Sequence, residues 1–131
     1  EMVLDLMKAR EKFAENEKFN PCRAGIKRFA DATDAEREEL IKQNPDYGEL
    51  VCRCEKVSRA EIIQAIHNPL NVHTITGIKY RTRGMMGRCQ GGYCQMRITQ
   101  MIQDECSLKE QDILYERQGS NIFIGKLRDG E

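Results

Sequence analysis

The sequence contains no tryptophan, and only 6% of its 131 residues are aromatic. Its core must therefore be aliphatic, and a small domain with such a core is often supplemented by a metal or a partner surface. Basic and acidic residues balance at 21 each, so no net charge attracts the chain to nucleic acid. No apolar run approaches the roughly 20 residues that cross a bilayer, so no transmembrane segment is expected.

The patterns of common catalytic sites are also missing. The sequence has no Ser–His–Asp arrangement, paired-carboxylate site, phosphate-binding loop or G-x-G-x-x-G flavin motif, and the Gly84-x-x-Gly87 spacing is too short to bind a nucleotide. We therefore expect that the chain is not catalytic by itself. Because it begins with Glu1 and its first residues already fit a helix, we expect a piece of a longer protein.

Helical periodicity and capping signals predict a mainly α chain. Thr33 and Ser58 each precede a glutamate by three residues, which is the capping-box pattern of a helix start. Spacing of apolar residues adds further helices. The helices are expected at 3–18, 33–43, 59–68, 74–83 and 94–105. A short β-hairpin of 113–115 with 122–124 is expected in the tail.

Six cysteines are the most informative residues. Four of them form two local pairs, C-x-C at Cys52 and Cys54 and C-x4-C at Cys89 and Cys94. A disulfide between such near neighbours would close a small, strained ring, so metal ligation explains the pairs better. The other two, Cys22 and Cys106, are expected to be small buried side chains.

Each pair can present both sulfurs to one centre. Residues two apart in extended or looped backbone point the same way, which suits Cys52 and Cys54. On a straight helix Cys89 and Cys94 would lie about 140° apart, so the two intervening glycines, which can adopt positive φ, are expected to fold the loop back. Helix starts beside both pairs would lower the pKa of the thiols and favour an anionic metal–sulfur centre.

The spacing favours iron–sulfur over zinc but leaves zinc open. Structural zinc sites usually use C-x2–4-C knuckles, and C-x-C is an unusual start for one. Four basic residues precede Cys89: Lys79, Arg81, Arg83 and Arg88. They would raise the reduction potential of a negative cluster, form a solvated basic face, or bind phosphate.

Two phrases carry a family resemblance. VCRCEKVSRAEI, followed by GIKYRTRGMMGRCQGGYC, resembles the bacterioferritin-associated ferredoxin-like [2Fe–2S] domain. The version at the C-terminus of FAD-dependent, anaerobic-type glycerol-3-phosphate dehydrogenases is the most similar, because it shares the C-x4-C pair. FNPCRAG and NPDYGELVCRCE resemble the segment that joins flavin and cluster domains, so the similarity covers about 19–105.

The resemblance implies a helix-turn-helix [2Fe–2S] domain at 47–106, with a helical arm or linker from a preceding flavin domain at 1–46 and a tail at 107–131. It implies that Cys52, Cys54, Cys89 and Cys94 bind the cluster and relay electrons from FAD in the parent to an acceptor. The implied partners are that flavin domain and further electron-transfer subunits. The expected location is the cytoplasm, or a membrane reached through partner subunits. The alternative is a zinc-stapled interaction module.

Overall fold

The computed structural model describes residues 2–10, 16–22 and 24–125. Within these ranges it contains five α-helices and one small antiparallel sheet, which confirms the mainly α fold. The helices are α1 (Met2–Lys8), α2 (Asp34–Gln43), α3 (Arg59–Ile66), α4 (Ile75–Thr82) and α5 (Gln95–Cys106). The strands are β1 (Leu50–Cys52) and β2 (Val57–Ser58), and 3-10 turns lie at Phe29–Asp31, Pro45–Gly48 and Glu110–Asp112.

Both predicted capping boxes are present. The Thr33 side chain accepts from the backbone N–H of Glu36, whose carboxylate accepts the Thr33 N–H in return. Ser58 and Glu61 make the same reciprocal bonds, and the Glu61 carboxylate also accepts the Ser58 hydroxyl at 2.7 Å. The second box is buried, whereas the first is exposed to solvent. The buried Ser58–Glu61 box therefore fixes the start of α3 inside the fold.

The helix expected at 3–18 is wrong in its extent. α1 ends at Lys8, a turn follows at 9–10, and residues 16–18 are not helical, while 11–15 lie outside the described residues. Every side chain of α1 is exposed, including Leu6 at 64%. A helix of this length without tertiary packing has little to stabilise it, because nucleation is costly and short isolated helices are marginal in water.

The main core joins the sheet to α3, α4 and α5. Ile62 and Ile66 of α3 meet Ile98 and Ile102 of α5, and all four are fully buried. Ile113 from the tail is equally buried in this core. A second, smaller cluster packs Leu40 and Tyr47 against Ala60 of α3. The segments before and after the helical pairs thus contribute directly to packing.

The tail forms a shorter hairpin than the sequence predicted. One antiparallel bridge joins Leu114 to Asn121, and the Tyr115 N–H donates to the Ser120 carbonyl at 2.7 Å. The Ser120 hydroxyl accepts the N–H groups of 116 and 117 and closes the tight turn of this hairpin. Within the described residues, no helix combines the length and apolar character needed to cross a membrane.

Candidate functional site

The first cysteine pair sits on the small sheet, which the sequence analysis did not predict. Cys52 is the last residue of β1 and is buried, whereas Cys54 lies in the exposed turn between β1 and β2. Lys56 completes the turn with φ of 50°. The turn returns the chain to β2, which ends at Ser58, so α3 begins shortly after the first cysteine pair.

The second pair spans a loop and a helix start, as predicted. Cys89 is exposed in the loop after α4, and Cys94 is the buried N-cap residue of α5. Only one of the two glycines takes positive φ: Gly91 has 89°, and the second left-handed residue is Gln90 at 48°. Gly92 does not adopt the positive φ that its lack of a side chain permits.

Side-chain hydrogen bonds explain why Gln90 takes that role. Its amide donates to the carbonyl of Met86 at 3.2 Å and to that of Gly87 at 3.0 Å, which holds the left-handed backbone in place. Gly92 instead allows close approach, because a Cβ there would lie 3.2 Å from the carbonyl oxygen of Cys89.

The four thiols interact as two pairs. The Cys54 thiol is close enough to that of Cys89 to influence its pKa, and both are exposed. The Cys52 thiol influences the pKa of Cys94 in the same way, and both are buried among the core residues. Cys89 is also close enough to Cys94 to interact electrostatically. The candidate site thus has an inner pair rooted in the core and an outer pair facing solvent.

The two helix-side cysteines differ in acidity. Hydrogen bonds lower the pKa of Cys89. The backbone N–H of Tyr93 has the largest effect, and the Cys54 thiol and the N–H of Gly91 have smaller ones. Burial, followed by the charge of neighbouring Cys52, raises the pKa of Cys94 to about 11. The expectation that both thiols become more acidic is therefore wrong for Cys94, because desolvation of a buried thiolate outweighs the favourable field of the helix start.

Gly87 brings the two exposed cysteines together, and the sequence analysis did not single it out for this role. A Cβ on this residue would lie 2.2 Å from the Cβ of Cys54, far inside van der Waals contact. Only a glycine lets the second loop approach the first this closely. Its position two residues before Cys89 was the available signal, but the partner across the fold could not be read from spacing.

Ion pairs use part of the basic stretch. Arg83 pairs with Glu55 at 3.1 Å, which joins the second loop to the turn that carries Cys54. Arg97 of α5 pairs with Glu49 at 2.6 Å and donates to the carbonyl of Leu50. Arg88 is exposed. Of the four basic residues that precede Cys89, Arg83 is thus balanced by a local carboxylate, that of Glu55.

The two remaining cysteines lie apart from these contacts. Cys22 is exposed, so its expected burial is wrong; it lies in a segment without helix or strand, and residues 16–22 are all exposed. Cys106 is half-buried against the main core at the end of α5, and burial raises the pKa of its thiol. The histidines line a surface cleft, where His67 pairs with Glu105 at 2.7 Å.

The donor set fits a binuclear iron–sulfur centre. Such a centre takes two protein ligands on each iron, and all-cysteine ligation is the common case. The site offers four thiols in two pairs.

Residues 50–104 match the family described as the BFD-like [2Fe-2S] binding domain. This segment belongs to that family. The BFD-like domain therefore contains both cysteine pairs, β1, β2, α3, α4 and nearly all of α5. The resemblance drawn from the two sequence phrases is confirmed.

Three relatives show where the BFD-like domain occurs. The chain is 36% identical over 124 residues to a glycerol 3-phosphate dehydrogenase of Caloramator mitchellensis, covering 94% of this chain and 26% of that protein. It is 39% identical over 80 residues to the hydrogen cyanide synthase component HcnB of Pseudomonas aeruginosa, covering 58% and 16%. It is 43% identical over 54 residues to a component of the anaerobic glycerol-3-phosphate dehydrogenase of Escherichia coli K12, covering 41% and 10%.

The chain thus spans about a quarter or less of the length of these relatives. No solved structure is significantly similar to it.

Proposed function

We propose that Cys52, Cys54, Cys89 and Cys94 hold a [2Fe–2S] cluster and that the domain transfers electrons. The observation that carries the proposal is the meeting of these four thiols, in two pairs, within the segment that belongs to the BFD-like [2Fe-2S] binding domain. When bound, such a cluster accepts and donates single electrons.

The residues of the chain have distinct tasks in this proposal. The buried pair, Cys52 and Cys94, anchors the site to the core, and the exposed pair, Cys54 and Cys89, faces the solvent from which a redox partner approaches. Backbone N–H groups of Tyr93 and Gly91 stabilise negative charge on the Cys89 sulfur. The protein supplies position and electrostatics, while the redox chemistry belongs to the cofactor.

We further propose that the parent is a FAD-dependent oxidoreductase resembling glycerol-3-phosphate dehydrogenase. The names of two of the three relatives above support this choice. In this proposal 1–46 is the arm from a flavin domain, 47–106 is the cluster domain and 107–131 is the tail. The flavin domain of the same parent is the electron donor, further electron-transfer subunits are the acceptors, and the cytoplasm is the expected location.

Single Cys→Ser variants test the ligand set, with the two outlying cysteines as matched controls. We expect Ser at 52, 54, 89 or 94 to reduce bound iron and sulfide by more than half, because a hydroxyl replaces a thiolate ligand. Cys22→Ser and Cys106→Ser should leave both at the wild-type amount. Equal losses in the control variants would contradict the assignment.

Zinc is the competing outcome of the same experiment. A zinc-stapled interaction module would keep its metal without acid-labile sulfide, show no spectral change with reductant, and unfold when a chelator removes the metal. The proposal fails if iron-replete, anaerobic expression gives that result.

A further inference from the structure

An arginine and a tyrosine make a direct contact between the two cysteine segments. The guanidinium carbon of Arg53 lies over the ring of Tyr93, 4.6 Å from its centroid. Arg53 stands between Cys52 and Cys54, and Tyr93 directly precedes Cys94. Each partner is therefore one peptide bond away from a candidate ligand, and the contact joins the β1–β2 turn to the start of α5.

The contact lies on the exposed side of the site. Arg53 is exposed, and Tyr93 retains 45% of its accessible surface, so neither side chain belongs to the core. The inner thiols are held by core packing, but the outer pair has no comparable apolar support. A stacked cation and ring is the kind of contact that can restrain two exposed loops.

The backbone of Tyr93 adds a second connection. Its N–H approaches the Cys89 thiol, while its ring carries the side chain of Arg53. Nearby arginines are engaged differently, since Arg83 pairs with the carboxylate of Glu55. Arg53 is thus the cation whose partner is an aromatic ring that belongs to the other cysteine segment.

We propose that Arg53 and Tyr93 are positioning residues that hold Cys54 beside Cys89. They thereby prevent the two cysteine loops from separating at the exposed side of the cluster. This inference rests on the proposed [2Fe–2S] function. The contact acts by restraining the two loops relative to each other, so its removal speeds loss of the cluster without changing which residues ligate it.

A double-mutant cycle tests the proposal. The reconstituted 131-residue chain is mixed with an iron chelator under anaerobic conditions, and the rate of cluster loss is followed by absorbance. Arg53→Met and Tyr93→Leu should each accelerate loss by about two- to fivefold, the range of an exposed cation–ring contact. The double variant should be no faster than the faster single variant, because both substitutions remove the same contact.

Three further variants serve as controls. Tyr93→Phe keeps the ring and should retain the wild-type rate, and Arg53→Lys keeps the charge and should fall between wild type and Arg53→Met. Arg88→Met removes a neighbouring exposed cation and should leave the rate unchanged. Multiplicative effects in the double variant, or equal acceleration by Arg88→Met, would overturn the proposal.

Iron and sulfide content of the wild-type chain separates this proposal from the one on which it rests. If the wild type assembles no cluster, the proposed function fails, and amide hydrogen exchange of the metal-free chain tests the contact instead. Arg53→Met should then increase exchange in 52–54 and 89–94 by a few-fold while leaving α3 unchanged. Unchanged exchange in those two segments would refute the positioning role.

Discussion

At the scale of single residues, the two thiol pairs differ in both burial and acidity. Cys89 is exposed and has a lowered pKa, while Cys94 is buried and has a pKa raised to about 11. The thiolate is the reactive form of cysteine, so the metal-free chain should show a steep order of reactivity. The electrostatics that suit a cluster ligand are therefore measurable without the cluster.

Alkylation of the reduced, metal-free chain measures this order. We expect Cys89 to be modified at a lower pH than either Cys94 or Cys106, whose pKa burial also raises. Peptide mass spectrometry across about pH 6 to about pH 11 gives the midpoint of each residue. Modification of Cys94 as readily as Cys89 near neutral pH would contradict the geometry of the inner pair.

The raised pKa of Cys94 also has a consequence for stability. Because the folded state favours the neutral thiol, its contribution is fully present below the ordinary pKa of 9.0 and is lost as the pH rises toward about 11. In the metal-free chain, Cys94→Ala should flatten this alkaline loss. Urea unfolding at about pH 8 and about pH 10.5 compares the variant with the wild type.

Gly87 gives the sharpest steric prediction. Gly87→Ala would place a methyl group 2.2 Å from the Cβ of Cys54, so one of the two loops must move. We expect the variant to lose most of its bound iron and sulfide while the helical circular dichroism is retained. Gly48→Ala is the matched control, because its methyl group would make only ordinary contacts with Ile41 at 3.8 Å. Normal cluster content in Gly87→Ala would show that the loops are not held as closely as described.

At the scale of elements, capping decides where the helices around the site begin. Ser58 caps α3 just after the first cysteine pair, and its bonds with Glu61 are buried. Ser58→Ala should lower the free energy of unfolding by about 1–2 kcal/mol, because it removes a cap and leaves a buried donor without its partner. Thr33→Ala, in the exposed box of α2, should cost less, about 0.5–1 kcal/mol. Denaturant titration of both variants checks the order, and a larger loss for Thr33→Ala would contradict it.

The elements that the sequence predicted well are those with strong local signals. Capping boxes and apolar spacing gave α2 and α3, and the same logic located α4 and α5. The β1–β2 hairpin escaped prediction because strands of three and two residues carry too little alternation to register. The helix predicted at 3–18 was longer than α1 because periodicity alone does not reveal whether one face of a helix will be buried.

The site was predicted less completely than the helices around it. The four cysteines were named from their spacing and family resemblance, but their division into a buried and an exposed pair arises from packing across the fold. The left-handed Gln90 and the close approach of Gly87 depend on neighbours distant in sequence or on specific side-chain bonds. The Gly87 contact is tertiary and leaves no local pattern, and the bonds of Gln90 depend on a loop conformation that spacing alone does not specify.

At the level of the whole chain, segments that flank residues 50–104 contribute to the packing of that region. Leu40 from α2 and Tyr47 pack against Ala60 of α3, and Ile113 from the tail is buried in the main core. Since the chain matches only 26% of one dehydrogenase and 10% of another, the flavin partner and the substrate belong to the proposal. Among the described residues, the four thiols form one buried pair and one exposed pair.

If these thiols hold a redox-active [2Fe–2S] cluster, chemical and spectroscopic analysis of anaerobically purified protein will reveal it. We expect equal amounts of iron and acid-labile sulfide, visible absorption that dithionite bleaches, and a paramagnetic signal from the one-electron-reduced state. A colourless protein that contains stoichiometric zinc, no sulfide and no reductant-dependent signal after iron-replete expression would show that the thiols do not hold an iron–sulfur cluster.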